Sequence, residues 1–419
     1  MIKSTTLKNY NRRIFLQKTG LATGGLLVLK SHLASQTTQR ALLPADLPIL
    51  ANLHDIIKAR VNIKSIDVLR TQGKLFVKST STDGVTGITI CNERMDYLIP
   101  ILQGLVIPFF INKDARDIQT IVDLVYRDGR NYKYAGMPFS NCVGHVELSL
   151  WDLLGKIHNK PAGQFFGKVV RREVPMYLSS LTRENTAGAE VAFLARRLAE
   201  TGAKAVKLKV GGRMTSEESV PGRTKAIIPL ARKTFGDGIT IYADANGSYQ
   251  PDEGIAVGKM LEDYGVKIFE EPCAWEDNSA NKKVADALKK IALAGGEQDT
   301  SLPRFRNIIE NRVYDIVQPD LYYNGGLLRC IEVANMAAKA GRGIAPHSPK
   351  ADPMEAAMLQ FASVVPNLEG FQEFPANAGK QPAWYGPHFD IINGKLQIPT
   401  GAGLGITYDE SVWKKVEKL

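Results

Sequence analysis

VPMYLSS (174–180), AGAEVAFLARRLAETG (187–202) and AVKLKV (205–210) follow one another as a short apolar run, an amphipathic segment and a second short apolar run. Short apolar runs bounded by loops suit buried strands, and apolar residues at helical spacing suit a crossover helix between them. Pairs of the same kind continue through TIYADA (240–245), VKIFEEP (266–272), LAGGE (293–297), DIVQPD (315–320), GIAPH (343–347) and EGFQEFP (369–375). Eight such strands joined by helices predict a (β/α)8-type (TIM-like) barrel over residues 171–385, an α/β fold with a parallel sheet.

Inside AVKLKV, Lys207 and Lys209 stand one residue apart. On a strand they face the same side, so two cations sit together where a core residue is expected. Each ammonium is expected to depress the pKa of the other. Something in the barrel mouth must make this pair tolerable.

Upstream of the barrel, SIDVLRTQGKLFVKSTSTDGVTGITI (65–90) reads as β-strands with tight turns at Gly73 and at Asp83-Gly84. Helical periodicity then runs from about residue 97 to 160. Residues 61–170 are therefore expected to form an N-terminal α+β capping domain, after a linker or helix at 36–60. GKLQIPTGAGLGITYDE (394–410) again reads as turn and strand, and residues 386–419 are expected to return to the cap. NYKYAGMPFSN (131–141) is a candidate substrate-facing loop, with Tyr132 as a substrate contact; an ordinary surface connection is the competing reading.

The 419 residues carry a formal charge of +10, but six basic residues and no acid fall within residues 1–35. The remainder, +4, shows no dense run of basic and aromatic residues, which excludes a nucleic-acid footprint. Arg12 and Arg13 precede Phe15, Leu16 and a short, glycine-rich apolar stretch that ends in small residues near Ala34. This resembles a twin-arginine signal peptide over 1–35, implying export, a periplasmic location and no stable membrane association after cleavage. Cys91, Cys142, Cys273 and Cys330 lack metal-ligand spacing, and a chain folded before export is expected to keep them as free thiols.

Polar residues recur at the predicted C-terminal ends of the barrel strands. Lys207 and Lys209 are followed by Asp244 with Asn246, Glu270, Glu297, Asp320, His347 and Glu373, at steps from Lys209 of 35, 26, 27, 23, 27 and 26 residues. Steps near one βα unit place these side chains around one mouth, where barrel enzymes carry their active sites. Asp244, Glu270 and Glu297 come from consecutive strands. Their oxygens suit a hard divalent ion, above all Mg2+, although spacing alone leaves Glu271 as an alternative to Glu270. Asn246 lines the same mouth or caps the next helix. Asp320 beside His347 makes an acid/base pair, the carboxylate setting the tautomer and raising the basicity of the ring. His54, His145, His158 and His388 fall outside the barrel and read as structural.

Taken in order, LSLWDLLGK (148–156), KLK, DAN, EEP, GGE, QPD, APH, the late Glu373 and GAGLG (401–405) resemble the enolase superfamily, in particular its mandelate racemase subgroup. The resemblance implies one Mg2+ per active site held by Asp244, Glu270 and Glu297, which selects the first glutamate of EEP. It also implies Lys209 as the base on one face of the substrate and the His347–Asp320 dyad on the other. Lys207 and Glu373 would contact the substrate carboxylate or the developing enediolate. Three details depart from the family pattern: a very short loop at Thr71–Gly73, a long polar loop at 211–224, and Glu147 and Ser149 where Asp and Ala are usual.

The expected chemistry is abstraction of the proton α to a carboxylate, made feasible by positive charge that stabilises the enediolate. Elimination of water from an aldonate or aldarate is the favoured outcome. Racemisation or epimerisation is the runner-up, followed by cycloisomerisation or another β-elimination. A catalytically silent exported sugar-acid-binding protein is the alternative from another class, but every acid/base and metal position is filled. The family also implies a homo-oligomer.

Overall fold

The structure, a computed structural model, describes residues 47–419. The export-signal reading therefore falls on residues outside the described part. The first sheet is built from β1 (Ile63–Thr71), β2 (Lys74–Ser81) and β3 (Thr86–Ile90), paired antiparallel in that order. The β1–β2 turn needs left-handed backbone at Gln72 (φ 52) and Gly73 (φ 69), the conformation of a two-residue hairpin. One face of this sheet is covered by the 22-residue helix Met137–His158. Contact is close: a Cβ on Gly87 would lie 2.0 Å from the Ser149 carbonyl oxygen.

The barrel strands are β4 (Glu173–Ser179), β5 (Ala205–Lys209), β6 (Thr240–Asp244), β7 (Ile268–Glu270), β8 (Ala292–Gly295), β9 (Ile316–Val317), β10 (Gly343–Ile344) and β11 (Gln372–Pro375). All pair in parallel, in the order β10-β9-β8-β7-β6-β5-β4-β11. A parallel bridge from Ile344 to Leu368, just ahead of β11, brings the two ends of the sheet together. Helices follow the strands, and the apolar residues between strands and helices form one continuous core. A second, smaller cluster fills the barrel interior: Tyr177, Ala205, Tyr242, Ile268, Ala294, Ile316 and Ala345. Because side chains alternate along a strand, the next inward position on each strand lies one layer nearer the mouth. Those positions hold Lys207, Asp244, Glu270 and Gln318. The apolar layer is thus the floor of the polar site.

Beyond the barrel, β12 (Tyr385–Gly386) pairs with β14 (Thr407–Tyr408), β13 (Lys395–Gln397) pairs with β4, and β15 (Glu417–Lys418) pairs with β1. The chain end therefore joins the first sheet. Two of the family-like motifs meet at this joint. Asp152, from LSLWDLLGK, accepts from the backbone N–H of Ile88 and of Leu404, each at 2.8 Å, and from Lys156 Nζ at 2.6 Å. Gly403, from GAGLG, has φ +71, and a Cβ there would lie 2.2 Å from Asp152 Oδ1. Glu147 makes a second joint by accepting from the N–H of Leu327 (2.9 Å) and of Leu328 (3.0 Å), at the start of the barrel helix Leu327–Lys339. A carboxylate there satisfies amides that the helix itself leaves unbonded. Ser149 bonds Ser79 Oγ at 2.6 Å and so ties the long helix to β2. The family departures at 147 and 149 are structural in this chain.

The 131–141 segment differs from the loop expected. Only 131–136 connect elements; from Met137 the chain is helix, and Asn141 is buried, donating to Asn92 Oδ1 at 3.2 Å. All four cysteines are free and buried. No helix of the described residues is long and apolar enough to cross a membrane. Replacing Gly403 with Ala adds a methyl group inside the Asp152 joint on left-handed backbone. The expected cost is about 2 kcal/mol or more, read as a lower midpoint of chemical denaturation. An unchanged midpoint would show that the joint does not need glycine.

Candidate active site

The side chains at the barrel mouth are placed by strand register. Lys209 pairs in register with Asp244, and Asp244 with Glu270, so three charged groups lie side by side at one level. Lys207 is 1% exposed, and its Nζ lies 2.9 and 3.0 Å from the two oxygens of Glu270, 3.0 Å from Glu373 Oε1 and 3.7 Å from Asp244 Oδ2. Its ammonium also sits 5.2 Å from the centre of the Tyr177 ring. Burial acts to lower the Lys207 pKa, but the surrounding carboxylates, Glu270 and Glu373 foremost, act more strongly and raise it well above the usual value. The expectation that its neighbour lysine would depress it is thereby corrected: three carboxylates within 4 Å outweigh one ammonium.

Lys209 Nζ is ion-paired to Asp244 Oδ2 and donates to Asn246 Oδ1 at 3.1 Å. Asn246 sits in left-handed backbone (φ 44), held by its own N–H donating to Asp244 Oδ1 at 2.9 Å. It does not cap the helix Pro251–Asp263, which begins after Gln250. Arg183, which the sequence did not single out, donates to Asn246 Oδ1 at 3.1 Å and to the backbone carbonyls of Gly211 (3.1 Å) and Asp244 (3.3 Å). It clasps the loop ends after β4, β5 and β6.

Carboxylates crowd one side. Burial, together with Asp244, raises the Glu270 pKa to about 7 despite Lys207. Burial and the charges of Glu297, Asp244 and Glu270 push Glu271 up strongly, and its Oε1 is buried with no hydrogen-bond partner. Gln318 Nε2 donates to Glu270 Oε2 at 3.0 Å and fixes that carboxylate from β9. As placed, no three His, Cys, Asp or Glu side chains among the described residues surround a point as metal ligands would; the ammonium groups stand between them.

His347 and Asp320 are brought together by a parallel bridge, with Nδ1 2.8 Å from Asp320 Oδ2. Asp320 Oδ1 accepts from the N–H groups of Tyr322 (2.7 Å) and Tyr323 (3.0 Å), so it orients the ring from a fixed position. Lys350 Nζ is 3.4 Å from Asp320 Oδ2. His347 Nε2 points at Glu297 Oε2 (3.3 Å) and lies 4.0 Å from Glu373 Oε2. Burial lowers the His347 pKa, yet Glu297 and the bond to Asp320 raise it overall. Glu373 accepts from Ser179 Oγ at 2.7 Å.

Lys207, Lys209, Asn246, Glu297, His347 and Glu373 line one cavity of about 410 Å³. Asp244, Glu270 and Asp320 lie behind them, each bonded to a lining residue. Tyr132 is not brought there. It is 61% exposed on the turn Asn131–Tyr134, whose Asn131 is buried and donates to the Val125 carbonyl (2.9 Å), and it is not among the residues that line the cavity. The cap contributes Arg94 instead, whose guanidinium lies 5.0 Å over the Tyr323 ring. Arg94 and Tyr323 left no sequence signal, because each lies outside the strand-end register.

Because the His347 pKa is raised in the folded protein, its interactions stabilise the fold below the ordinary imidazole pKa, and that contribution is lost as pH rises through the folded value. Asp320→Asn removes the bonded carboxylate, so the His347 pKa is expected to fall, read from its imidazole C2 proton in an NMR titration. An unmoved titration would mean that Asp320 does not set the ring's charge.

Comparison with known proteins places this geometry. The family model described as enolase C-terminal domain-like matches residues 190–412. Arabinonate dehydratase of Saccharolobus solfataricus is 25% identical over 343 residues, covering 80% of this chain and 88% of that relative. D-galactarolactone cycloisomerase of Agrobacterium fabrum is 29% identical over 310 residues, covering 71% and 79%. A crystal structure of a mandelate racemase/muconate lactonizing protein from Paracoccus denitrificans PD1222, complexed with magnesium, superposes with a TM-score of 0.78 at 23% identity, covering 86% of this chain and 99% of that one. With the matched model spanning more than half of its length, including β5 through β11, the chain belongs to the enolase superfamily of enzymes.

Proposed function

We propose that the enzyme removes the proton α to the carboxylate of a sugar acid and then eliminates the β-hydroxyl as water. The observation that carries this reading is one cavity faced by both Lys209 and the Asp320-bound His347, over a cluster of buried carboxylates. The donor set fits Mg2+. Asp244, Glu270 and Glu297 come from consecutive strands beside Glu271, whose Oε1 is buried with no hydrogen-bond partner. All the donors are hard carboxylate oxygens, and Asp244, Glu270 and Glu297 would hold the ion. Mg2+ bound there supplies the positive charge that steadies negative charge developing on the substrate carboxylate.

The chain's own groups do the rest. Lys209, as the free amine, takes the α-proton on its side of the cavity and becomes an ammonium, leaving the bonding pair in the enediolate. Lys207, kept as an ammonium by Glu270 and Glu373, faces that charge. As the enediolate collapses, the β-carbon–oxygen bond breaks, and His347 Nε2 delivers a proton so that the hydroxyl departs as water. Its raised pKa suits this acid role near neutral pH. The resulting enol tautomerises to a 2-keto-3-deoxy acid, which balances the reaction. Cycloisomerisation is the second reading, favoured by the Agrobacterium relative, which is 29% identical over 310 residues. The reading includes export through the twin-arginine pathway to the periplasm, from the Arg12-Arg13 segment, and assembly as a homo-oligomer.

The test is 1H NMR of a sugar-acid library in D2O with Mg2+. Loss of the α-proton signal and a new 2-keto-3-deoxy product are expected for at least one acid; no exchange across the library would leave the binding-protein alternative. Glu270→Gln should lower kcat by about a thousand-fold or more. Lys209→Ala should abolish α-proton exchange and His347→Asn should abolish loss of water, and intact turnover in both would refute this assignment of base and acid.

A further inference from the structure

The inner cations of the cavity are matched. Lys207 is shared by Glu270 and Glu373, and Lys209 is paired to Asp244. The unmatched positive charge lies nearer the opening. Arg94 comes from the turn Glu93–Tyr97 of the cap, and Arg213 from the long polar loop that follows β5. Both are exposed residues lining the same cavity as the acid/base groups. Among the described residues, neither guanidinium has a carboxylate within ion-pair distance. The Arg94 guanidinium stacks over Tyr323, whose ring centre is in turn 6.1 Å from that of His347. The stack holds the planar donor fork in place beside the acid/base dyad without using its hydrogen bonds.

A substrate whose reacting carboxylate lies at the strand ends must extend its far end towards these loops. A neutral chain of hydroxyls leaves two guanidiniums there without a counter-charge, whereas a second carboxylate supplies one and can be bound bidentately. We propose that the enzyme takes a sugar diacid: Arg94 holds the distal carboxylate, and Arg213 adds attraction from the loop after β5. The proposal rests on the sugar-acid reading of the same site and narrows it from acids in general to aldarates. The loop residues, rather than the barrel strands, thus decide between aldarates and aldonates.

The test uses the Mg2+-loaded full chain and matched pairs of hexaric and hexonic acids of the same stereochemistry, such as galactarate with galactonate and glucarate with gluconate. Isothermal titration calorimetry reads affinity, and D2O exchange reads the chemistry. For the best-bound stereochemistry, the diacid is expected to bind at least about tenfold more tightly than its monoacid, with a preference that shrinks as salt is added. Arg94→Gln should lower diacid affinity about 10- to 100-fold and leave monoacid affinity within about threefold; Arg213→Gln should act in the same direction more weakly. Equal binding of the two acids, tighter binding of the monoacid, binding of neither, or an equal loss for both in Arg94→Gln would overturn the proposal. Exchange without diacid preference refutes the diacid alone and keeps the sugar-acid chemistry. Diacid preference without exchange keeps the recognition and refutes the chemistry.

Discussion

The ammonium of Lys207 is the interaction around which the barrel mouth is organised. One buried cation on β5 touches Glu270 from β7 and Glu373 from β11, and lies 3.7 Å from Asp244 on β6. Those carboxylates could not stay charged in a closed interior without it, because burying an unpaired charge costs far more than a hydrogen bond returns. Equally, the ammonium could not be buried without them. The cation and the carboxylates are therefore a single unit, assembled only when strands from both halves of the barrel chain come together.

The unit rests on a floor of small and medium apolar side chains. Ala205, Ile268, Ala294 and Ile316 fill the layer beneath it. The period of two along each strand makes that layer and the polar layer inseparable, since shifting a strand by one residue would exchange inward for outward side chains. Gly370 permits one close approach to this layer, since a Cβ there would lie 2.8 Å from the Tyr242 hydroxyl. The cap is locked to the barrel by carboxylates of one helix, Glu147 on the amides that open Leu327–Lys339 and Asp152 on the Gly403 loop. Because the same cap carries Arg94 to the cavity, these joints also place the residue proposed to recognise a distal carboxylate. Stability and recognition share one framework.

The charge pattern divides the site into two zones. The inner zone holds more carboxylate than ammonium, which suits a divalent cation and a proton-transfer pair. The outer zone holds unmatched guanidinium. On the diacid proposal, a molecule carrying negative charge at both ends would complement both zones, its near carboxylate facing Lys207 and its far one the loop arginines. The two lysines of AVKLKV illustrate how such surroundings override a local argument. Considered as a pair they should weaken each other's hold on a proton, yet Lys207 is driven the opposite way by the acids that enclose it.

What the sequence by itself determined was the periodic part of the protein. Alternating apolar runs and amphipathic helices specify eight strands, and polar residues recurring at about one βα unit specify which end of them is the mouth, because both are repeats imposed by backbone geometry. Lys207, Lys209, Asp244, Glu270, Glu297, Asp320, His347 and Glu373 were legible for that reason, and so was the hairpin at Gln72-Gly73. Tertiary structure alone decided contacts between residues far apart in the chain. Tyr132 looked available and does not line the cavity, while Arg94, Arg183 and Tyr323 reach the site from loops that carry no periodic signal. The sign of the Lys207 shift belongs to the same class. It depends on how many carboxylates come within a few ångströms of one nitrogen, and that distance is set by three-dimensional closure of the barrel rather than by the residue two places along the strand.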